Sequence, residues 1–325
     1  MSSPDPSSSI SPRGAPSRVQ AHNAGPKNSA ASITTTKAIL LMMAAVACFT
    51  FLDTTAKYLN TTLPLLQVVW MRFVTHIILG IVIFRLWKNM HKMKTKRLGL
   101  QAARGVSMLC ITALHFWALV YLQLAEAVTI MFAGPMVVAA LAGPFMGEWA
   151  GPHRWAAIAV GFIGVLVVTR PGLDGLGWPA LISVGAMVSF AVYSLLTRVL
   201  AQTENADGLI MWTAIIPAIA LAPIAISVWE WPTDLFTWFL MFLTGFFGGY
   251  GHWLLIKAHA HAPAPTLAPF IYTQIVWMVL LGWLVFDDIP TVWTLLGAGI
   301  TIAAGLYLLY RENVAHKQTK KQTAP

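Results

Sequence analysis

The chain has 325 residues, of which 57% are hydrophobic and only 10% are charged, and its mean hydropathy is +0.68. Soluble domains carry about a quarter of charged residues, so this composition excludes a water-facing globule. A net charge of +9 would suit nucleic acid, but the cations lie in short segments between apolar runs, where they set membrane topology. We therefore predict an integral membrane protein that does not bind nucleic acid.

Residues 1–36 are rich in Ser, Pro, Gly and Ala, and Asp5 is their single acid. Such a segment cannot bury enough apolar surface to offset its ordering entropy, so it is predicted to be a disordered cytoplasmic tail. The next apolar run has the full length of a span, unlike the short core of a signal peptide. An organelle transit peptide is the alternative, although the many prolines spoil the amphipathic helix that it needs.

Ten apolar runs follow the tail, each long enough to cross a hydrocarbon core of about 30 Å. They are predicted at residues 37–58, 64–85, 98–121, 127–146, 153–170, 177–199, 208–229, 235–256, 265–286 and 291–310. A basic tail, residues 311–325, closes the chain. The prediction is an all-α protein with ten transmembrane helices, embedded in the lipid bilayer.

The distribution of cations predicts which way the chain is inserted. Of the 21 Lys and Arg residues, 17 fall in segments that share one side of the membrane with both termini. Only Lys57 and Arg170 fall on the other side, and Arg72 and Arg104 lie within spans. Because cytoplasmic segments are enriched in Lys and Arg, both termini are predicted to be cytoplasmic in a cell membrane.

Two internal alignments indicate a duplication. The first and sixth spans align at an offset of 141, which pairs Phe49 with Phe190, Asp53 with Ser194, Lys57 with Arg198 and Leu59 with Leu200. The pattern Ala-x-Ala-x-Thr recurs at 125–129 and 262–266, an offset of 137. Since five spans are an odd number, the repeats 37–170 and 177–310 must enter the membrane in opposite directions.

Inverted repeats are the design of many carriers, in which one half rocks against the other around a midplane site formed at helix breaks. Breaks are predicted at Gly134-Pro135 in the fourth span and at Pro269 in the ninth. Small residues permit close packing of neighbouring helices. This packing role is predicted for Gly245-x-x-x-Gly249 and for the glycines at 161, 164, 297 and 299.

Short motifs spread over residues 37–312 carry a family resemblance. In chain order they are Asp53-x-x-x-Lys57-Tyr58-Leu59, Arg72-Phe73, Arg104-Gly105, Ala125-Glu126-Ala127, Gly147-Glu148, Gly161-Phe162-Ile163-Gly164, Arg170-Pro171, Lys257-Ala258, Ala268-Pro269 and Asp287-Asp288. Their order and spacing resemble the EamA-like family of the drug/metabolite transporter superfamily. The stretch 104–171 is most similar to S-adenosylmethionine uptake carriers, and 53–72 is also similar to riboflavin importers.

The resemblance implies a ten-helix fold with a central cavity between the halves, lined mainly by spans one, three, four, six, eight and nine. It also implies a small-molecule substrate, because members of the family carry amino acids, nucleotide-like metabolites, vitamins or drugs.

Charged residues within spans are candidates for function, although a structural ion pair gives the same signal. Asp53 and Lys57 are spaced to pair along one turn, either as a structural salt bridge or as an outer gate or cation site. Arg72, with His76 one turn away, is expected to anchor helix packing, and substrate contact is the alternative. Arg104 lies near the inner face, where it either snorkels or attracts an anionic group of the substrate.

Histidine and aromatic residues supply the remaining candidates. His115 and His252 are proton-carrier candidates, and buried neutral imidazoles are the alternative. The polar groups of Tyr193, Tyr250, Tyr272 and Gln274 are candidate substrate contacts in otherwise apolar helices. The pair His259-x-His261 is predicted to lie in the loop before span nine.

The sequence contains no G-x-x-x-x-G-K-[ST] phosphate loop, no H-E-x-x-H and no Cys/His cluster with metal spacing, so neither an ATP motor, a cofactor nor a metal is expected. We predict a secondary transporter of S-adenosylmethionine, an amino acid or a vitamin-like cargo, working by alternating access as a monomer or homodimer. A gradient of substrate, counter-substrate or protons would drive it. The alternatives are a polytopic membrane enzyme acting on lipid head groups, for which no catalytic constellation is found, and a membrane scaffold or receptor.

Overall fold

The computed structural model describes residues 27–83, 88, 90–172, 175–262 and 264–322, and within these ranges the regular elements are helical. The α-helices are α1 (Lys27–Leu59), α2 (Leu65–Ile83), α3 (Leu98–Tyr121), α4 (Leu124–Met131), α5 (Gly134–Met146), α6 (Pro152–Thr169), α7 (Pro179–Leu200), α8 (Ala206–Ser227), α9 (Leu235–His261), α10 (Ala264–Ile271), α11 (Gln274–Phe286) and α12 (Val292–Gln322). Since α4 and α5 form one span and α10 and α11 another, ten candidate membrane spans result. The predicted all-α, ten-span fold is confirmed.

The first and last helices extend beyond the predicted spans. Helix α1 begins at Lys27 and α12 continues to Gln322, so residues 27–36 and 311–322 are helical rather than irregular. Neither extension contains Gly or Pro, and nothing local therefore stops the helix. The predicted disorder of residues 1–26 lies outside the described residues.

The two halves share the same helix pattern. In each half the fourth span is split into a helix of 8 residues and a helix of 13 residues. The first break, at 132–133, lies beside Gly134-Pro135 as predicted. The second lies at 272–273, so the prediction at Pro269 was wrong. Pro269 lies inside α10, where it forfeits one intrahelical bond, and the chain bends only after the short helix ends.

Successive spans run in opposite directions, which fixes two ends of the bundle. Helix α1, the first span, finishes at what we call the Lys57 end. Helix α7, the sixth span, runs the other way and finishes at the opposite Arg198 end. The halves pack symmetrically: α1 packs on α9 and α7 on α3, while α6 packs on α12 and α2 on α8. Helices of each half therefore pack against helices of the other half on both sides of the bundle.

Glycines allow several of these helices to approach closely. A Cβ at Gly245 of α9 would lie 2.7 Å from the backbone oxygen of Arg72 in α2, and one at Gly164 of α6 would lie 2.9 Å from the oxygen of Gly297 in α12. The predicted packing role is thus confirmed for Gly164 and Gly245. It was wrong for Gly299, which is exposed and has no heavy atom within 4 Å of its Cβ position, because it lies on the outward face of α12.

Candidate functional site

A cavity of about 410 Å³ lies between the two halves. This volume falls in the range of about 300–1,000 Å³ that small-molecule sites occupy. All six spans expected from the resemblance contribute to its walls, and the second and tenth spans also contribute. The polar and aromatic side chains that line the cavity are Phe49, Asp53, Arg72, His115, Phe132, Phe190, His252, His259, Tyr272 and Gln274.

An acid–imidazole pair lies on the cavity wall. The Nε2 atom of His115 in α3 is 3.2 Å from Oδ2 of Asp53 in α1, and the two side chains are 12% and 9% exposed. Lys57, the predicted partner of Asp53 along α1, pairs instead with Asp288. The pair places a carboxyl group and an imidazole side by side on the cavity wall, where a polar ligand group could contact both.

A cluster of nitrogen donors faces the same space from α2 and α9. Arg72 donates to Thr112 Oγ1 and packs against the ring of Phe73, and these contacts agree with the predicted anchoring role. Arg72 also lines the cavity, and its Nε has no hydrogen-bond partner in the described structure. The Nδ1 atoms of His115 and His252 are likewise buried without a partner. A polar ligand is the simplest way to satisfy these nitrogen atoms, of which Arg72 Nε donates and the imidazole atoms donate or accept according to their tautomer.

Close packing of α9 against α2 creates this cluster. A Cβ at Gly248 would lie 3.3 Å from Nε of Arg72, and one at Gly249 would lie 3.3 Å from the ring of His76. The rings of His76 and His252 are 6.3 Å apart. Because glycine leaves room on this face of α9, the long side chains of α2 reach the centre of the bundle.

Aromatic side chains form the apolar walls. The rings of Phe132 and Tyr272 meet edge to face at 5.0 Å, and they come from the two symmetry-related helix breaks. Phe190 closes another side and lies against the first residue of α5, where a Cβ at Gly134 would be only 2.8 Å from its ring. The arrangement suits a flat ring system, since aromatic faces and edges stack on one another.

Four candidate residues, Arg104, Tyr193, Tyr250 and Lys57, do not line the cavity. Arg104 is 1% exposed and donates to Gln101 Oε1 and to the backbone oxygen of Leu209, with Tyr193 Oη at 3.5 Å. Arg104 does not snorkel, because α7 and α8 cover that side of α3, and Tyr193 lies partly buried beside it. Tyr250 stacks on Trp253 along the outward face of α9, away from the face that carries His252.

Lys57 lies at the end of the bundle rather than in the cavity. Its Nζ is 3.2 Å from Asp288 Oδ2 and donates to the backbone oxygen of Leu122 at 2.7 Å. It also lies 5.1 Å from the centre of the Phe286 ring. The i, i+4 pair with Asp53 is not formed, because a partner from the other half of the chain occupies the ammonium.

Sequence reasoning missed several cavity residues. His259 belongs to the last turn of α9, so its predicted loop position was wrong; its Nδ1 is 2.9 Å from the oxygen of Leu255. The seven-residue spacing from His252 places both on one helical face and was an available signal. Phe49 and Phe190 are paired by the repeat alignment, which was a second signal, and Phe132 gave none beyond being aromatic. Among the described residues, no group of three His, Cys, Asp or Glu side chains is placed to hold a metal ion.

Comparison with protein families finds one that covers nearly all of the membrane region. The EamA-like transporter family matches twice, over residues 36–170 and 177–311.

Relatives of known function match over most of their length. The S-adenosylmethionine uptake transporter of Rickettsia bellii (strain RML369-C) is 28% identical over 263 residues, which cover 81% of this chain and 90% of the relative. The riboflavin transporter of Vibrio cholerae is 24% identical over 83% of this chain and 91% of the relative. The riboflavin transporter of Rhizobium johnstonii is 30% identical over 70% of this chain and 71% of the relative.

One solved crystal structure has the same fold. The two chains superimpose with a TM-score of 0.58 and are 17% identical. The match covers 86% of this chain and 97% of the chain in that structure. At this identity the likeness concerns the fold alone.

Proposed function

The chain belongs to the EamA-like transporter family, and from this premise we propose that its central cavity binds one small polar or amphipathic metabolite and carries it by alternating access. The protein is a small-metabolite transporter and not an enzyme. The observation that carries the proposal is the cavity itself, which both halves line and which holds buried donors without partners. Rocking of the halves would open such a cavity to each side in turn.

The cavity chemistry favours S-adenosylmethionine or a closely similar metabolite as the cargo. An adenine ring suits the edges and faces of Phe132 and Tyr272, and an amino-acid group presents opposite charges that match Asp53 and Arg72. The names of the Rickettsia relatives support this choice. Riboflavin is the second candidate, because its flat ring fits the same aromatic walls and other relatives are riboflavin transporters.

The transporter is proposed to lie in the cell membrane with both termini in the cytoplasm and with residues 37–170 and 177–310 as its two repeats. The charge bias of 17 cations against two supports this orientation. The Arg198 end is then cytoplasmic and the Lys57 end external. A reporter fused after Tyr310 should be active in the cytoplasm, and activity only on the outside would contradict the orientation.

Coupling is proposed to use a substrate, counter-substrate or proton gradient. For the case of a proton gradient, we propose Asp53 and His115 as the proton-carrying pair, since a carboxyl group and an imidazole lie together on the cavity wall. Uptake measured with and without an imposed proton gradient distinguishes proton coupling from exchange.

A binding screen followed by uptake tests the proposal. The purified protein is heated in the presence of S-adenosylmethionine, riboflavin, amino acids and nucleosides, and a ligand raises the melting temperature by mass action. Proteoliposomes are then tested for uptake of the stabilising compound, with empty liposomes as the control. We expect saturable uptake of S-adenosylmethionine. A compound that stabilises the protein but is not taken up would contradict the carrier function.

A further inference from the structure

Two ion pairs link the halves of the bundle, one at each end. At the Lys57 end, Lys57 Nζ lies 3.2 Å from Asp288 Oδ2, an ion pair by distance without hydrogen-bond geometry at that oxygen. At the Arg198 end, the guanidinium of Arg198 donates to both carboxylate oxygens of Glu148, at 2.8 and 2.7 Å. Each pair joins one residue of the first half to one residue of the second.

The two pairs occupy equivalent positions in the repeat. Lys57 and Arg198 each lie in the last turn of the first helix of their half. Each acid follows a helix that ends in a left-handed residue, Gly147 in the first half and Asp287 in the second. In both halves the backbone N–H of the acid bonds to a carbonyl six residues back, at 3.2 and 3.0 Å. The same type of helix terminus therefore positions an acid at each end of the bundle.

The two pairs differ in how well they are covered. The side chains of Lys57 and Asp288 are 15% and 24% exposed, whereas those of Arg198 and Glu148 are 53% and 48% exposed. Lys57 is held further by its bond to the backbone oxygen of Leu122. The structure is therefore closed more tightly at the Lys57 end, and the cavity reaches toward the Arg198 end along α9.

We propose that Lys57–Asp288 and Glu148–Arg198 are the two gates of the transport cycle, each of which breaks when the mouth at its own end opens. The inference rests on the alternating access proposed above. When one half rocks against the other, the halves separate at one end and approach at the opposite end. A pair that bridges the halves must therefore break at the separating end. The Glu148–Arg198 pair is exposed and therefore weak enough to break in every cycle.

Thiol labelling tests the gates without any substrate. Cys48 and Cys110 are replaced by Ala, and Ala268→Cys places one thiol on the cavity wall. An impermeant maleimide is then applied to right-side-out and to inside-out vesicles, so that each end is probed separately. Because no ligand is needed, the result is independent of whether S-adenosylmethionine is the cargo.

The gate variants should shift labelling in opposite directions. Glu148→Gln should increase labelling from the Arg198 end several-fold and decrease it from the Lys57 end, and Asp288→Asn should do the reverse. Asp287→Asn is the matched control, since this neighbouring acid is exposed and Asn tolerates its left-handed backbone. Labelling that changes equally from both ends, or in neither variant, overturns the proposal.

A charge exchange separates gating from folding. Glu148→Arg alone should place two cations together and leave the Arg198 end open, and the double variant Glu148→Arg, Arg198→Glu should restore the wild-type labelling ratio. Both variants are checked for an unchanged melting temperature. If the double variant melts like the wild type but keeps the labelling of the single variant, the pair is not a gate.

Discussion

Replacing Asp53 with Asn tests the role of the acid in the cavity most sharply. The substitution keeps the volume of the side chain and removes its negative charge, while the buried His115 imidazole, now 3.2 Å from an amide, can still find a partner. A hydrogen bond to a charged group contributes about 1.5–3 kcal/mol. If Asp53 binds a cationic group of the ligand, the dissociation constant should therefore rise by about 10- to 150-fold.

The assay is binding of S-adenosylmethionine by calorimetry, together with uptake in proteoliposomes. Asp234→Asn is the matched control, because Asp234 is exposed at the start of α9, where Asn also caps a helix. The control should bind and transport like the wild type. An Asp53→Asn variant with unchanged affinity and unchanged uptake would refute the assignment of Asp53 to the ligand site.

Three further contrasts follow from the packing. Gly245→Ala should lower the melting temperature, at a cost of about 1–3 kcal/mol, because the new methyl group would meet the backbone of α2; Gly299→Ala, which faces open space, should instead stabilise α12 by up to about 1 kcal/mol. Tyr272→Leu should weaken ligand binding by about 2- to 12-fold through the lost contact of its ring with a flat ligand, whereas Tyr250→Leu should leave the affinity unchanged in the same titration. Arg104→Lys should destabilise the protein by about 1–3 kcal/mol in a thermal melt, since one ammonium cannot reproduce the fork of bonds, yet leave the ligand affinity unaltered.

The fold was predictable because its signals are periodic and local. Apolar runs of span length predicted the number of membrane spans, and the offset of 141 residues between Lys57 and Arg198 indicated the repeat. Helix ends were less predictable, because α1 and α12 extend as polar helices where no Gly or Pro stops them. The break in the ninth span was misplaced, since Pro269 lies inside α10 and the helix continues to Ile271 before it ends.

The site was predictable only in part, because polarity identifies a side chain but not the face on which it lies. Tyr250 and His252 are two residues apart in α9, and only His252 faces the cavity. Arg104 and Arg72 are both intramembrane cations, yet one is sealed between helices and the other lines the cavity. These outcomes depend on which helices pack together, and one sequence contains no direct record of that.

The central claim, that one cavity faces each side in turn, is tested most directly by counterflow. Proteoliposomes are loaded with unlabelled S-adenosylmethionine and diluted into a trace of the labelled compound. A carrier should accumulate the label transiently above its external concentration and then release it, and Asp53→Asn should flatten this overshoot. If the wild type binds the compound but shows no overshoot above empty liposomes, alternating access through this cavity is contradicted.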